Sequence, residues 1–180
     1  ETSADALTRY FYPLYLLSMK RLGSPPFSLD FFLNHLKHLH HHTKLFLIWK
    51  NKQVIAALLG FTTGSRVHIA FSVSDPQFWE LRANDFVHWH CIKWAVNHGY
   101  QVFDFGTVRY ESQRQFKKKW GVEFRAYNHY YLYPSVDTTR VTPSSSSSAS
   151  IQFLSSLWRK WMPMSLAQVI GPTLHRLMVR

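Results

Sequence analysis

A single cysteine, Cys91, in 180 residues rules out an internal disulfide. Read with the lack of a secretory signal pattern, it leads us to expect a reducing, cytoplasmic setting. Acidic residues are also scarce, with 10 Asp and Glu against 21 Lys and Arg. The resulting formal charge of +11 suits anionic partners: nucleotide or CoA phosphates, tRNA, lipid pyrophosphates or an anionic membrane surface. A basic surface with no specific ligand remains the plainer alternative. Long apolar runs are missing. The longest, Leu45–Trp49 and Val54–Phe61, fall far below the roughly 20 residues of a spanning helix, so no transmembrane helix is expected. Nor is there a Walker loop, a dinucleotide glycine motif, zinc-finger spacing or a Ser-His-Asp order.

What is present is enough to fold. With 46% hydrophobic and 17% aromatic residues the chain can bury a core, which argues against disorder. Leu7, Tyr10, Phe11, Leu14 and Leu17 recur at helical spacing within residues 4–22, and Pro13 predicts a kink. Ser28 or Asp30 can cap a second helix through Phe31, Phe32, Leu36 and Leu39. Leu45–Trp49, Val54–Thr62 and Val67–Val73 read as three strands. A long helix is predicted over Phe78–Asn97, ended at His98-Gly99, then a short strand Val102–Phe105 and a helix Ser112–Trp120. A final strand is predicted over Glu123–Tyr133. This order predicts an α/β fold, a mixed sheet with helices on both faces. Residues 138–150, with five consecutive serines, read as a linker before a helical tail, 151–180. In that tail Ile151, Leu154, Trp158 and Trp161 are expected on one face, and Pro163 and Gly171-Pro172 are expected to break it into short pieces.

The chemistry-bearing residues cluster after the short strand. Phe103-Asp104-Phe105-Gly106 ends that strand in an acid and turns on glycine, and Phe116-Lys117-Lys118-Lys119-Trp120-Gly121 follows ten residues later. The ends of strands in open α/β sheets form ligand crevices. There Asp104 could orient or deprotonate an attacking amine or hydroxyl, or it could cap the next turn and pair with an arginine. Arg109 and Arg114 could bind phosphate or simply coat the loop, while Lys118 and Lys119 read as solvated. His35, His38 and His42 could share a helical face, but no acidic or cysteine partner lies near them, so no metal site is expected.

The order FDFG, basic loop, FKKKWG and "EFRAYNHYYLYP" resembles the second acyltransferase-fold (GNAT) domain of FemAB-type transferases, over most of residues 9 to 134. The tail "LWRKWMPMSLAQVIGPTLHRL" is similar to that of FemAB-like proteins of bacterial exopolysaccharide systems. The resemblance implies a GNAT-like domain over 1–137, with a further domain preceding it in relatives. It implies acyl transfer to an amine or hydroxyl of a cell-envelope or exopolysaccharide precursor, with acyl-CoA or aminoacyl-tRNA as donor. On this reading Lys117 steadies the donor, helped by Arg109 and Arg114, and Asp104 orients the nucleophile. Alternatives are a peptidoglycan bridge enzyme using aminoacyl-tRNA, or a non-catalytic basic module for anionic lipid precursors or membrane. Ordinary acetyl-CoA enzymes of the fold carry glycines where this chain has Ser74-Asp75-Pro76-Gln77-Phe78-Trp79, and relatives often carry a glycine near Glu111-Ser112-Gln113. The tail itself, basic and apolar with no acid, suits either a peripheral contact at the inner face of a membrane or docking on the parent domain.

Overall fold

Four strands build one sheet in chain order: β1 (Thr43–Lys50), β2 (Gln53–Thr63), β3 (Arg66–Ser74) and β4 (Val102–Asp104). The computed structural model describes residues 2–128 and 149–178. It falls into two units, Glu1–Gly106 with Phe153–Arg180, and Thr107–Gln152. β1, β2 and β3 form an antiparallel meander, whereas β4 runs parallel to β3. The α/β mixed sheet flanked by helices is therefore the architecture expected from the sequence.

Two bulges decide which side chains face which layer. Between β1 and β2 the register jumps from Ile48↔Ala56 to Trp49↔Val54, leaving Ile55 unopposed. Between β2 and β3 it jumps from Leu59↔Phe71 to Gly60↔Ile69, leaving Ala70 unopposed. Each extra residue reverses the in-out alternation of its strand. Val67 and Ile69 consequently pack in one core with Ala56 and Leu58, while Phe71 and Val73 pack in the other with Ala57 and Leu59.

The first core lies under the N-terminal helices. Ser3 caps α1 (Ala4–Ala6), a π turn spans Leu7–Phe11, and α2 (Tyr12–Leu22) follows. Pro13 has no amide hydrogen for the carbonyl four residues back, and the wider π register falls in the turn before it. Gly23, at φ 72°, closes α2 with its amide on Lys20 and that of Ser24 on Met19. Ser28 caps α3 (Leu29–Leu39) through the Phe31 amide. Phe11, Tyr15 and Phe32 are fully buried and meet Phe71 of β3 edge-on, with Phe11 and Tyr15 stacked on each other.

The second core lies under α4 (Ala83–Asn97), whose Val87, Cys91 and Ala95 repeat every fourth residue against β2 and β3. The single helix expected over Phe78–Asn97 is instead two elements. Asp75 accepts the Gln77 amide at 3.0 Å and opens a 3-10 helix, Pro76–Leu81, and Arg82 then adopts a left-handed conformation (φ 53°) before α4 begins. Helical periodicity continues through such a corner, so apolar spacing alone does not reveal it.

The tail forms α6 (Ala149–Trp161) and α7 (Met164–Met178). Pro163 separates them, but the break expected at Gly171-Pro172 does not occur. Gly171 serves close approach instead: a Cβ there would lie 2.4 Å from Pro26 Cδ. The expected face of α6 is also divided, because Trp158 is 7% exposed while Leu154 and Trp161 are 63% and 70% exposed.

In the second unit α5 (Glu111–Lys118) ends near Gly121 at φ 69°. The strand expected over Glu123–Tyr133 is not formed at residues 123–128, and residues 129–133 lie outside the described ones. Residues 123–128 are exposed and form no strand ladder with the described residues, and Glu123 pairs locally with Arg125. Phe124 lies under the Arg114 guanidinium, 4.4 Å from ring centroid to Cζ.

Candidate active site

The parallel pairing of β3 and β4 covers three rungs, Arg66↔Val102, Val67↔Phe103 and His68↔Asp104. β3 then continues to Ser74, and among the described residues no strand lies along that edge. Gly106 turns the chain away at φ 70°, so close to β3 that a Cβ would meet the Ile69 carbonyl oxygen at 2.6 Å. The sheet therefore opens just beyond His68, and the bulged Ala70 sits in the first part of the opened edge.

Asp104 stands at this point. Its Oδ2 is 3.0 Å from His68 Nδ1 and 3.4 Å from Arg66 Nη1, and its Oδ1 accepts the Gly106 amide at 2.8 Å. Partial burial pulls its pKa upward. The His68 and Gly106 hydrogen bonds and the nearby His68 and Arg66 charges outweigh that effect and hold the carboxyl below the usual value. An ionised carboxylate can only accept, so in the neutral ring it is Nδ1 that carries the proton. That leaves the lone pair on Nε2, which makes no hydrogen bond to the described residues. The side chain of His68 is 45% exposed, within reach of a ligand. Because Val67 and Ile69 pack toward α4, His68 projects from the opposite face of the sheet, the face that carries α3.

His68 was not among the candidates read from the sequence. Its partner lies 36 residues away, and a lone histidine in an alternating strand carries no local signal. The other candidates belong to the second unit. Lys117 Nζ donates to the Thr107 carbonyl at 2.8 Å, Arg114 covers Phe124, and the Arg109 amide donates to Gln113 Oε1. Lys119 lies over the Phe116 ring.

The lone thiol offers no nucleophile. Cys91 is buried in the core under α4, and burial pushes its pKa up to about 12. The histidine run has local partners: His35 Nδ1 is 2.8 Å from the Phe31 carbonyl, and the rings of His40 and His41 meet at a tilt with their centroids 3.7 Å apart. Among the described residues no group of three or more His, Cys, Asp or Glu is placed to hold a metal ion. On the α3 side, a groove of about 560 Å³ is lined by Phe27, Asp30, Phe31, Asn34, His175 and Arg176. Phe27 touches Phe71 of β3 edge-on at 6.1 Å, beyond the bulge and on the His68 side of the sheet.

A family profile describing the acetyltransferase (GNAT) domain matches residues 1–118. The chain belongs to the GNAT acetyltransferase family. Solved structures share its fold at low identity. An aminoglycoside acetyltransferase from an uncultured soil metagenomic sample, in complex with sisomicin, superposes with a TM-score of 0.56 at 10% identity, covering 73% of this chain and 93% of that one. A possible acetyltransferase from Clostridium difficile 630 gives 0.54 at 14% identity, with 74% and 94% covered. An integron cassette protein from the mobile metagenome of V. cholerae gives 0.53 at 14%, with 74% and 86% covered. No protein of curated function matches the chain.

GNAT acetyltransferases take their acyl group from acyl-CoA. The first two amides of α4, those of Ala83 and Asn84, precede the hydrogen bonds that Asp85 and Phe86 make to the Arg82 carbonyl, and they sit at the positive end of a 15-residue helix, a setting suited to phosphate. Arg82 adopts there the left-handed backbone that glycine usually supplies, and its guanidinium pairs with Asp85 at 2.9 Å. The glycine-free segment thus keeps a sharp entry into α4.

Proposed function

We propose that this GNAT domain transfers an acyl group from acyl-CoA to an amine or hydroxyl of a saccharide-bearing cell-envelope or exopolysaccharide precursor, with His68 as general base. The observation that carries the reading is the Asp104–His68 pair, set on the last shared rung where β3 and β4 part. His68 Nε2 takes the proton of the acceptor amine or hydroxyl as its nitrogen or oxygen attacks the thioester carbonyl. Asp104 fixes the ring and steadies the imidazolium that forms. The ladder is interrupted at the Ala70 bulge, and on this reading a backbone amide there meets the carbonyl oxygen as negative charge grows on it. Collapse of the tetrahedral adduct breaks the carbon–sulfur bond. The CoA thiolate leaves and is protonated, and the acceptor keeps the acyl group as amide or ester. With the only thiol buried, transfer is direct, and positioning supplies much of the rate.

The groove between α3 and α7 fits the acceptor side of this reading. Phe27 and Phe31 stack at 4.2 Å and offer an apolar edge to the C–H face of a sugar ring. Asp30, Asn34, His175 and Arg176 supply planar acceptors and donors for hydroxyls. One acid balanced by one guanidinium suits a neutral, polyhydroxylated ring. That a structurally similar protein is an aminoglycoside acetyltransferase supports a saccharide as acceptor.

The reading is tested by following acceptor-dependent release of CoA from acetyl-CoA across a panel of amino sugars, hexoses and lipid-linked saccharides. Release by the native chain, and its collapse in His68→Gln, is the expected result. Release that survives unchanged in His68→Gln would overturn the role of the histidine. Ligand binding with no turnover of any acyl-CoA would favour a non-catalytic module.

A further inference from the structure

We propose that the outer face of α6 and α7 is a docking surface for an anionic membrane interface. Each of the two helices carries one broad apolar sector, and the fold uses only one edge of it. Trp158, Ala167 and Gly171 face inward, with Ser155 against Gly23 and Gly171 against Pro26. At about 100° per residue, Leu154, Trp161 and Leu157 follow one another around a flank of α6 beside Trp158. On α7, Leu174, Ile170, Leu166 and Val169 do the same beside Ala167. These side chains are exposed, from 37% at Leu174 to 74% at Val169.

Such a surface is too apolar to be left in water without a reason. The charge pattern selects the occupant. After Asp137 the sequence contains no acid, while Arg140, Arg159, Lys160, Arg176 and Arg180 are basic. Lys160 borders the exposed stripe of α6 and Arg176 that of α7, whereas Arg159 falls on the opposite flank of α6; Lys160 Nζ sits 5.7 Å from the Trp161 ring. A protein partner would be chosen by mixed charges; a stripe of Leu, Val, Ile and Trp rimmed by cations alone matches a layer of anionic headgroups over acyl chains. Among the described residues no helix is long and apolar enough to cross a membrane, so the contact is interfacial. Arg176 is the one residue shared with the groove beside α3; the vesicle contact otherwise uses other side chains than the acyl-transfer chemistry and can fail without it.

The test is cosedimentation of the full chain with vesicles of phosphatidylcholine and phosphatidylglycerol, with pure phosphatidylcholine alongside. Native protein should bind the anionic vesicles and release them in high salt. Lys160→Gln should weaken binding by about 5-fold, as expected for one basic residue near the surface, and Arg159→Gln, on the opposite flank of α6, by less. Trp161→Ser with Val169→Ser should weaken it at least as much as Lys160→Gln. Both positions are exposed, so an unchanged melting temperature checks that the variant is folded. Equal binding by native and variant chains would overturn the proposal, as would equal binding to neutral and anionic vesicles. Self-association without lipid that Trp161→Ser with Val169→Ser abolishes would instead make the face an interface between copies.

Discussion

His68 of β3 and Asp104 of β4 meet at 3.0 Å across the last rung of a three-rung parallel pairing. The pairing brings a carboxylate under an imidazole, and its end opens the sheet beside them. Both follow from the chain leaving β4 early. Gly106 turns at φ 70° with its amide on Asp104 Oδ1, so the residue that ends the strand also holds the histidine. A longer β4 would close the crevice, and a shorter one would remove the acid.

If His68 is the base, His68→Gln should lower kcat by about 10²- to 10⁴-fold while the KM for acyl-CoA changes little. Asp104→Asn should act through the tautomer. Its amide can donate to Nδ1, placing the ring proton on Nε2 and removing the base's lone pair. The rate should therefore fall although the histidine remains, and Asp104→Glu should restore part of it. Steady-state kinetics with a pH profile read both effects. An Asp104→Asn enzyme with native kcat and pH profile would make the pair purely structural.

Asp104 should also leave a mark on stability in acid. Its folded pKa is held below the usual carboxylate value, so its contribution is fully present above that value and is lost as pH falls through the folded one. Stability should therefore drop on acidification below about pH 4, where aspartates ordinarily titrate. The group is a third exposed, which limits the contribution to less than about 1 kcal/mol. Urea unfolding at neutral and acid pH should show the native chain losing slightly more than Asp104→Asn. A larger loss in the variant would reverse the assignment.

The fold was legible where periodicity and punctuation agreed. Ser28 before α3, Gly23 after α2 and the three apolar strand segments mark their own boundaries. Illegible were features set by partners distant in the chain. The bulges at Ile55 and Ala70 depend on register against a neighbouring strand. The corner at Arg82 interrupts no apolar spacing, and Gly171 reads as a breaker until Pro26 is placed against it. The same limit applied to the site. Asp104 is visible because it ends an apolar strand before glycine, whereas His68 acquires meaning only when β4 pairs beside it.

Gly106 tests how tightly the mouth of the crevice is built. Gly106→Ala places a side chain in a left-handed conformation and drives its Cβ to 2.6 Å from the Ile69 backbone oxygen, which cannot swing aside. A loss of about 2–4 kcal/mol is expected, combining the conformational penalty with displacement of β4. Gly99→Ala is the control. Its φ is also positive, at 77°, but nothing lies within 4 Å, so only about 1–2 kcal/mol should be lost. Thermal unfolding of the two variants compares them directly, and equal losses would mean that the approach to Ile69 is not tight in solution.

Lys117 is where sequence resemblance and structure ask different things of one side chain. The resemblance implies a contact with the donor, whereas its Nζ donates 2.8 Å to the Thr107 carbonyl. The two roles are compatible in time, since an ammonium has three donors and can hold a carbonyl while meeting a phosphate. If it meets the donor, Lys117→Ala should raise the KM for acyl-CoA by about 10-fold, the equivalent of one charge-assisted hydrogen bond. Lys118→Ala, one residue further along α5, should leave it within about 2-fold, as expected of a solvated charge. Removing the exposed ammonium of Lys117 should change folding stability by no more than about 1 kcal/mol. Donor titrations on both variants separate the cases. Equal effects at Lys117 and Lys118 would reduce the site to a diffuse basic patch. A Lys117→Ala variant with native donor affinity but faster amide exchange at residues 107–118 would confine the lysine to holding its own loop.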